Sequence, residues 1–220
     1  MSKKFDSELD ALRRNLLTMG ATAEKMVRDT TKMLVERDMA VFEPVRKAED
    51  NMDLLQRQLD EDAVRLISVY TPVAADLRCL LMATRITAEL ERIADKTMDI
   101  GFYAKTLFKE PPLKPLIDIP RMAEIDAAML KKVLDAYTEG SAEKAEDVIK
   151  MDDEVDEIND QLFRELMTYV QEDVKAVSRV LELVLIARSY ERIGDHAVNI
   201  AEDVVYMVRG KDIRHLKGEV

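Results

Sequence analysis

Glu91-Arg92-Ile93-Ala94-Asp95, running on to Asp99, returns 100 residues later as Glu191-Arg192-Ile193-Gly194-Asp195, running on to Asn199. On a helix advancing about 100° per residue, positions i, i+4 and i+8 drift only about 40° per step, so each copy lines its motif residues into one stripe. Like charges stacked this way repel, and a helix selected for stability alone would place Lys or Arg four residues after Glu. A Glu-x-x-x-Asp motif therefore calls for a cation from outside its own helix. Its recurrence reads as a duplication, with an acidic stripe in each half.

Working outward, a second acidic pair accompanies each copy: Glu49-x-x-x-Asp53 in the first half and Asp152-x-x-x-Asp156 in the second. These pairs align at an offset of 103, as do Met19, Met26, Asp50 and Leu59 with Met122, Met129, Asp153 and Leu162. The two offsets place a three-residue insertion or deletion at the turn before the last helix, with helical register kept on both sides. On the helical wheel Ala48, Met52, Leu55 and Leu59 fall to one side of Glu49, and Leu90, Ala94 and Thr97 fall to the same side of Glu91. Each pair thus borders an apolar face. Antiparallel neighbours obeying that rule send their acids either into one shared groove or onto opposite outer flanks. Height along the hairpin agrees with the groove: counted from Thr71, the pairs stand about twenty residues back and about twenty-two forward.

The composition is that of long amphipathic helices with few turns: 47% hydrophobic and 35% charged residues, with no Trp, 6 Gly and 6 Pro. A net charge of −11 disfavours a nucleic-acid backbone as ligand and favours metal cations or basic protein surfaces. The single cysteine, Cys79, falls at the centre of an apolar helix face and reads as a packed thiol, and the Met residues at helical spacing read as core. Met1-Ser2-Lys3-Lys4-Phe5-Asp6 lacks the apolar stretch of a secretion signal and no segment suits a membrane span, so a soluble, cytoplasmic protein is expected.

In chain order, apolar periodicity predicts a helix over about 5–37. A second, capped by Asp38, runs to about Tyr70, with a kink or late start at Pro44. Thr71 is expected to N-cap a third helix that begins at Pro72 and runs to about Phe108. Pro111, Pro112 and Pro115 mark residues 111–119 as a linker, and Pro120 is expected to open a fourth helix. Gly140-Ser141 ends the fourth and caps the fifth, Asp173 caps the sixth, and residues 209–220 form a polar tail. The expected fold is all-α: two tandem three-helix up-down bundles, residues 1–110 and 120–208, related by a pseudo-twofold.

Carboxylates gathered at a partly dry rim are costly unless protons or cations neutralise them. Oxygen donors without thiolate suit hard or borderline ions: Mg²⁺, Ca²⁺, Mn²⁺, iron, or Zn²⁺. The competing reading is solvated surface charge, paired to Arg92, Arg192 or Lys96. His196 is expected to point away from the acidic stripe in a structural or surface role, and His215 in the tail carries little information. No Gly-rich phosphate loop, Cys/His cluster or nucleophile–base pairing is present, nor the Glu-x-x-His signature of di-iron carboxylate enzymes.

With these two motifs in duplicated helices, the second extending through His196-Ala197-Val198-Asn199-Ile200, and with Asp76-Leu77-Arg78 preceding the first, the chain resembles the PhoU family of phosphate-uptake regulators from Phe5 to Val208. The resemblance implies multinuclear metal clusters held by the Glu/Asp-x-x-x-Asp motifs, with Glu49, Asp53, Glu91, Asp95 and Asp99 in one site and Asp152, Asp156, Glu191, Asp195 and Asn199 in the other. It further implies a cytoplasmic homodimer that is a negative regulator of the phosphate-starvation response, linking the ATPase of a phosphate ABC transporter to a sensor histidine kinase. Ala94 stands where the family usually has Gly, and Asn199 where it has a carboxylate, so the halves need not act alike. Three functions follow as expectations: a non-catalytic metal-binding adaptor, a carboxylate-bridged metalloenzyme or metal store, and a purely structural scaffold.

Overall fold

A computed structural model describes residues 3–214 of the chain. Among these residues there is no strand; the fold is six helices, α1 (Lys3–Glu36), α2 (Phe42–Tyr70), α3 (Ala74–Leu107), α4 (Asp118–Glu139), α5 (Ala142–Glu172) and α6 (Val177–Arg209). His215 and the end of the tail lie outside the described residues. The helices form where apolar residues recur every three or four positions. On α1, Leu9, Leu12, Leu16, Met19, Ala23, Met26 and Val27 are all buried along one stripe.

The helix ends follow local chemistry, with some departures from the sequence reading. Asp38 caps as expected, its side chain accepting from Ala40 N, but what it caps is a short 3₁₀ turn, Met39–Val41, that leads into α2. Pro44 falls in the first turn of α2, where a missing N–H costs nothing, so the late start is what occurs. Asp173 caps a matching 3₁₀ turn, Val174–Ala176, before α6. Gly140 supplies the left-handed residue that closes α4, and Ser141 accepts from Lys144 N to start α5.

The expected break at Thr71-Pro72 is placed differently. Thr71 is not an N-cap; its N–H closes on Ile67 O and it ends α2 at φ 46°, in the left-handed region. With Thr71 committed to α2, the chain needs two more residues to reverse, so α3 starts at Ala74 behind an extended Val73. Likewise α4 starts at Asp118, ahead of Pro120, which again falls within the first turn.

Helices α1, α2 and α3 pack together as one bundle and α4, α5 and α6 as another, which is the predicted duplication. The halves are not separate beads. The most extensive helix pairing joins α3 to α6, and α1 also packs on α4, so one apolar core runs through both bundles. Arg37 donates to Glu110 O at 2.6 Å and lies over the Phe108 ring, while Lys114 Nζ bonds Asp118 and Glu165; these contacts pin the proline-rich linker to α1, α4 and α5. Cys79 is buried and its Sγ accepts from Arg13 Nη2 at 3.4 Å, as a packed core thiol.

Candidate metal centres

The first-half acids share a groove. Met52 and Leu59 on α2, and Leu90, Ala94 and Thr97 on α3, are driven into the core, and this turns the adjoining acids toward each other. Glu49, Asp95 and Asp99 line an open cleft between α2 and α3, together with Arg46, Lys96 and Phe102. Burial raises the pKa of Glu49, and Asp53, Asp50 and Asp95 raise it further. Glu91 is raised by burial and then by Asp95, Asp53 and Glu49. Asp95, at the open rim, is raised by partial desolvation and then by Asp53. Each carboxylate feels its counterparts across the helix gap, which rules out opposite outer flanks.

In the second half, Glu191 is raised by burial and then by Asp195, with Asp156 of α5 adding to the effect and Arg192 and Arg188 opposing it. Asp152 comes closer to α6 than any wheel could indicate. A Cβ placed on Gly194 would stand 2.6 Å from Asp152 Oδ1 and 3.3 Å from Asp126 Oδ1. The glycine before the motif aspartate leaves room for these carboxylates to approach α6 closely.

Not all the expected ligands join these groups. Lys96 pairs with Asp99 at 2.6 Å, so the surface-charge reading holds for Asp99, whereas Arg192 pairs with Asp195 at 2.9 Å at the rim of the second acidic group. Arg92 bonds Glu89 one turn back and reaches Glu91 only through its charge, which opposes the rise of that carboxyl. Asn199 is turned away from the second acidic group: its Nδ2 donates to Glu89 Oε2 at 3.0 Å. Eight residues beyond Glu191 it has drifted about 80° round the helix, onto the face that packs against α3.

His196 completes that contact, its Nδ1 lying 2.8 Å from the same Glu89 oxygen. It has a structural role, as expected, but one that joins the two halves. The Glu89 carboxyl is opposed by burial, yet the bonds from His196 and Asn199 outweigh this and hold it below its ordinary value. It is therefore ionised and His196 donates. The sequence reading missed Glu89 and also Asp126, which lies wholly buried on α4. Each interrupts the buried stripe of its own helix, at the spacing of Ile86, Leu90 and Ile93 or of Met122, Ala123, Met129 and Leu130. An acid in an apolar stripe was the available signal.

The donor set fits a hard or borderline cation. Asp53 Oδ1 and both oxygens of Asp126 are buried without a hydrogen-bond partner, and such oxygens are stabilised by a proton or an ion; Glu191 Oε2 has Arg192 Nε at 3.6 Å. Among the described residues, no three His, Cys, Asp or Glu side chains are already drawn together at the spacing of a closed site. If an ion were held, Glu49, Asp53, Glu91 and Asp95 would hold it in the first half, and Asp152, Asp156, Glu191 and Asp195 in the second. Such an ion would supply positive charge that ties neighbouring helices together.

Fold and site together define a duplicated helical protein with an acidic seam in each half, and known proteins share its fold. The PhoU domain family matches residues 16–104 and 119–204, one match on each half. The chain belongs to the PhoU family. It is 36% identical over 217 residues, 98% of its length and 90% of the relative's, to the phosphate-specific transport system accessory protein PhoU homolog of Pseudomonas aeruginosa. The protein of the same description from Rhizobium meliloti is 39% identical over 94% of this chain and 87% of its own. The crystal structure of PhoU from Pseudomonas aeruginosa superposes with a TM-score of 0.90 at 36% identity, covering 94% of this chain and all of that one. These relatives are named as accessory proteins and not for a reaction. Among the described residues no helix is long and apolar enough to cross a membrane.

Proposed function

We propose that the protein is a non-catalytic, metal-dependent regulatory adaptor of phosphate uptake, acting in the cytoplasm. Metal ions in the two acidic seams set the packing of α2 on α3 and of α5 on α6. The outer surfaces then engage the ATPase of a phosphate ABC transporter and a phosphate-sensing histidine kinase, and the outcome is repression of the phosphate-starvation response. A homodimer presents these surfaces in two copies. The convergence of Glu49, Asp53, Glu91 and Asp95 on one groove carries the metal reading, and the family membership carries the phosphate reading.

Two measurements test this. Deleting the gene is expected to release phosphate-regulated expression in high phosphate, and unchanged expression would remove the regulatory role. Protein purified without chelator is expected to contain Mn, iron or another divalent ion, and Glu91→Gln with Asp95→Asn to lower that content while helicity is kept. Turnover of a phosphoester or of oxygen by the metal-loaded protein would place it instead with carboxylate-bridged metalloenzymes.

A further inference from the structure

Two cavities of the fold are repeats of each other. One lies where α1 and α3 end and is walled by Leu34, Arg37 and Leu107. The other lies where α4 and α6 end and is walled by Tyr137, Gly140 and Met207, which stand at the same offsets of 103 and 100 that align the rest of the chain. Arg37 and Gly140 also share a left-handed backbone, at φ 53° and 63°.

The two cavities are finished differently. In the first, Pro112, Leu113 and Leu116 of the linker complete an apolar wall. In the second, Arg13 of α1 and Cys79 of α3 complete the wall, and Tyr137 stands where the first has Leu34. Tyr137 is 5% exposed, and its hydroxyl is buried without a well-formed hydrogen bond, with Cys79 and Arg13 as its polar neighbours. Arg13 spends its Nη2 on the Cys79 sulfur at 3.4 Å, a weak acceptor for a guanidinium, and has Asp10 at 3.7 Å. The carboxylate on the cavity wall, Glu139, is taken by Lys144 at 2.6 Å. A guanidinium, a phenol and a thiol thus meet at one cavity, and among the described residues no free carboxylate lines it. A buried donor left unmatched is costly, and an acceptor brought in by a ligand would match it. The cavity holds about 390 Å³, the size of a small-molecule site and more than a bare four-oxygen anion fills.

We propose that this second cavity binds a small organic oxyanion, its phosphate or carboxylate head between Arg13 and Tyr137 and its apolar part on Leu17 and Met207. An arginine fork suits either head. Such a ligand touches α1, α3, α4 and α6 together, so it bridges the two halves at a place apart from the acidic seams. The proposal does not depend on the metal reading.

The test uses the full chain stripped of metal, so that no ion in a seam can hold the anion. Phenyl phosphate, benzoate and inorganic phosphate are titrated separately by calorimetry. Phenyl phosphate or benzoate is expected to bind at about 1 mM or tighter, and the tighter of the two assigns the head group. Arg13→Ala is expected to weaken that binding about tenfold or more, as loss of a charged hydrogen bond does. Tyr137→Phe, which keeps the ring and its packing if Arg13→Ala misfolds, is expected to weaken it several-fold. No binding of either organic probe at millimolar concentration would overturn the proposal, and so would binding that both variants retain in full. Inorganic phosphate held as tightly as phenyl phosphate would overturn the organic ligand by showing that the apolar wall contributes nothing. Metal titration of the seams reads separately from all of these outcomes.

Discussion

Glu89 on α3 accepts a hydrogen bond from His196 on α6 across the boundary between the two halves, with 2.8 Å between Oε2 and Nδ1. The same carboxylate takes Asn199 and Arg92, and one helical turn away Arg85 pairs with the buried Asp203 at 3.2 Å. The helices that carry the acidic motifs are thus held to each other by a polar line on their opposite faces.

His196→Ala is expected to destabilise the chain by about 2 kcal/mol, because it leaves a largely buried, ionised Glu89 short of a charge-stabilising partner. Urea denaturation measures this. Combined with Glu89→Gln in a double-mutant cycle, it should return a coupling of about 1 kcal/mol or more; additive losses would mean that the pair does not act as a unit.

Asp203 gives a pH dependence. Burial pushes its pKa up to about 6, against the opposing charge of Arg85. A carboxyl raised on folding contributes stability that is fully present below its unfolded value and is lost as pH rises through about 6. Asp203→Asn should therefore flatten the stability profile between the ordinary value of 3.8 and about 6, the range over which the wild type loses this contribution. Parallel profiles for variant and wild type would remove Asp203 as the source.

In the first seam, the raised pKa values of Glu49, Glu91 and Asp95 mean that their ionised forms strain the fold near neutral pH. Stripping metal with a chelator should lower the melting temperature of the wild type. Glu91→Gln with Asp95→Asn should melt higher than the stripped wild type and respond less to added Mn²⁺, since an ion at a hundred times its dissociation constant is worth about 2.7 kcal/mol. Equal responses in the two proteins would rule out this seam as the binding site.

Gly194→Ala separates packing from ligation. Alanine favours a helix interior by about 1 kcal/mol, but its methyl would meet Asp152 Oδ1 at 2.6 Å, the mobile end of a side chain that can swing aside. The variant is expected to stay folded while Mn²⁺ uptake by the second half falls. The reverse change, Ala94→Gly, should cost about 1 kcal/mol and leave uptake unchanged. Circular dichroism and metal titration together read both outcomes.

The order of helices was legible because its signals are local. Apolar spacing, Gly140, Ser141 and the prolines act within a few residues of themselves, and the offsets of 100 and 103 expose the duplication without any structure. The local reading failed where two elements competed for one residue. Thr71 suits an N-cap by composition, but α2 claims its N–H first.

The sequence by itself determined six amphipathic helices in two copies and the acidic stripes at the border of their apolar faces, since both follow from periodicity along the chain. Tertiary structure alone decided which acids meet. Asn199 goes to Glu89, 110 positions earlier, and Asp126 lies against Asp152 and the bare Cα of Gly194. These neighbours belong to other helices, and a carboxylate's charge state and its need for a cation are set by what packs around it, not by what adjoins it in the chain.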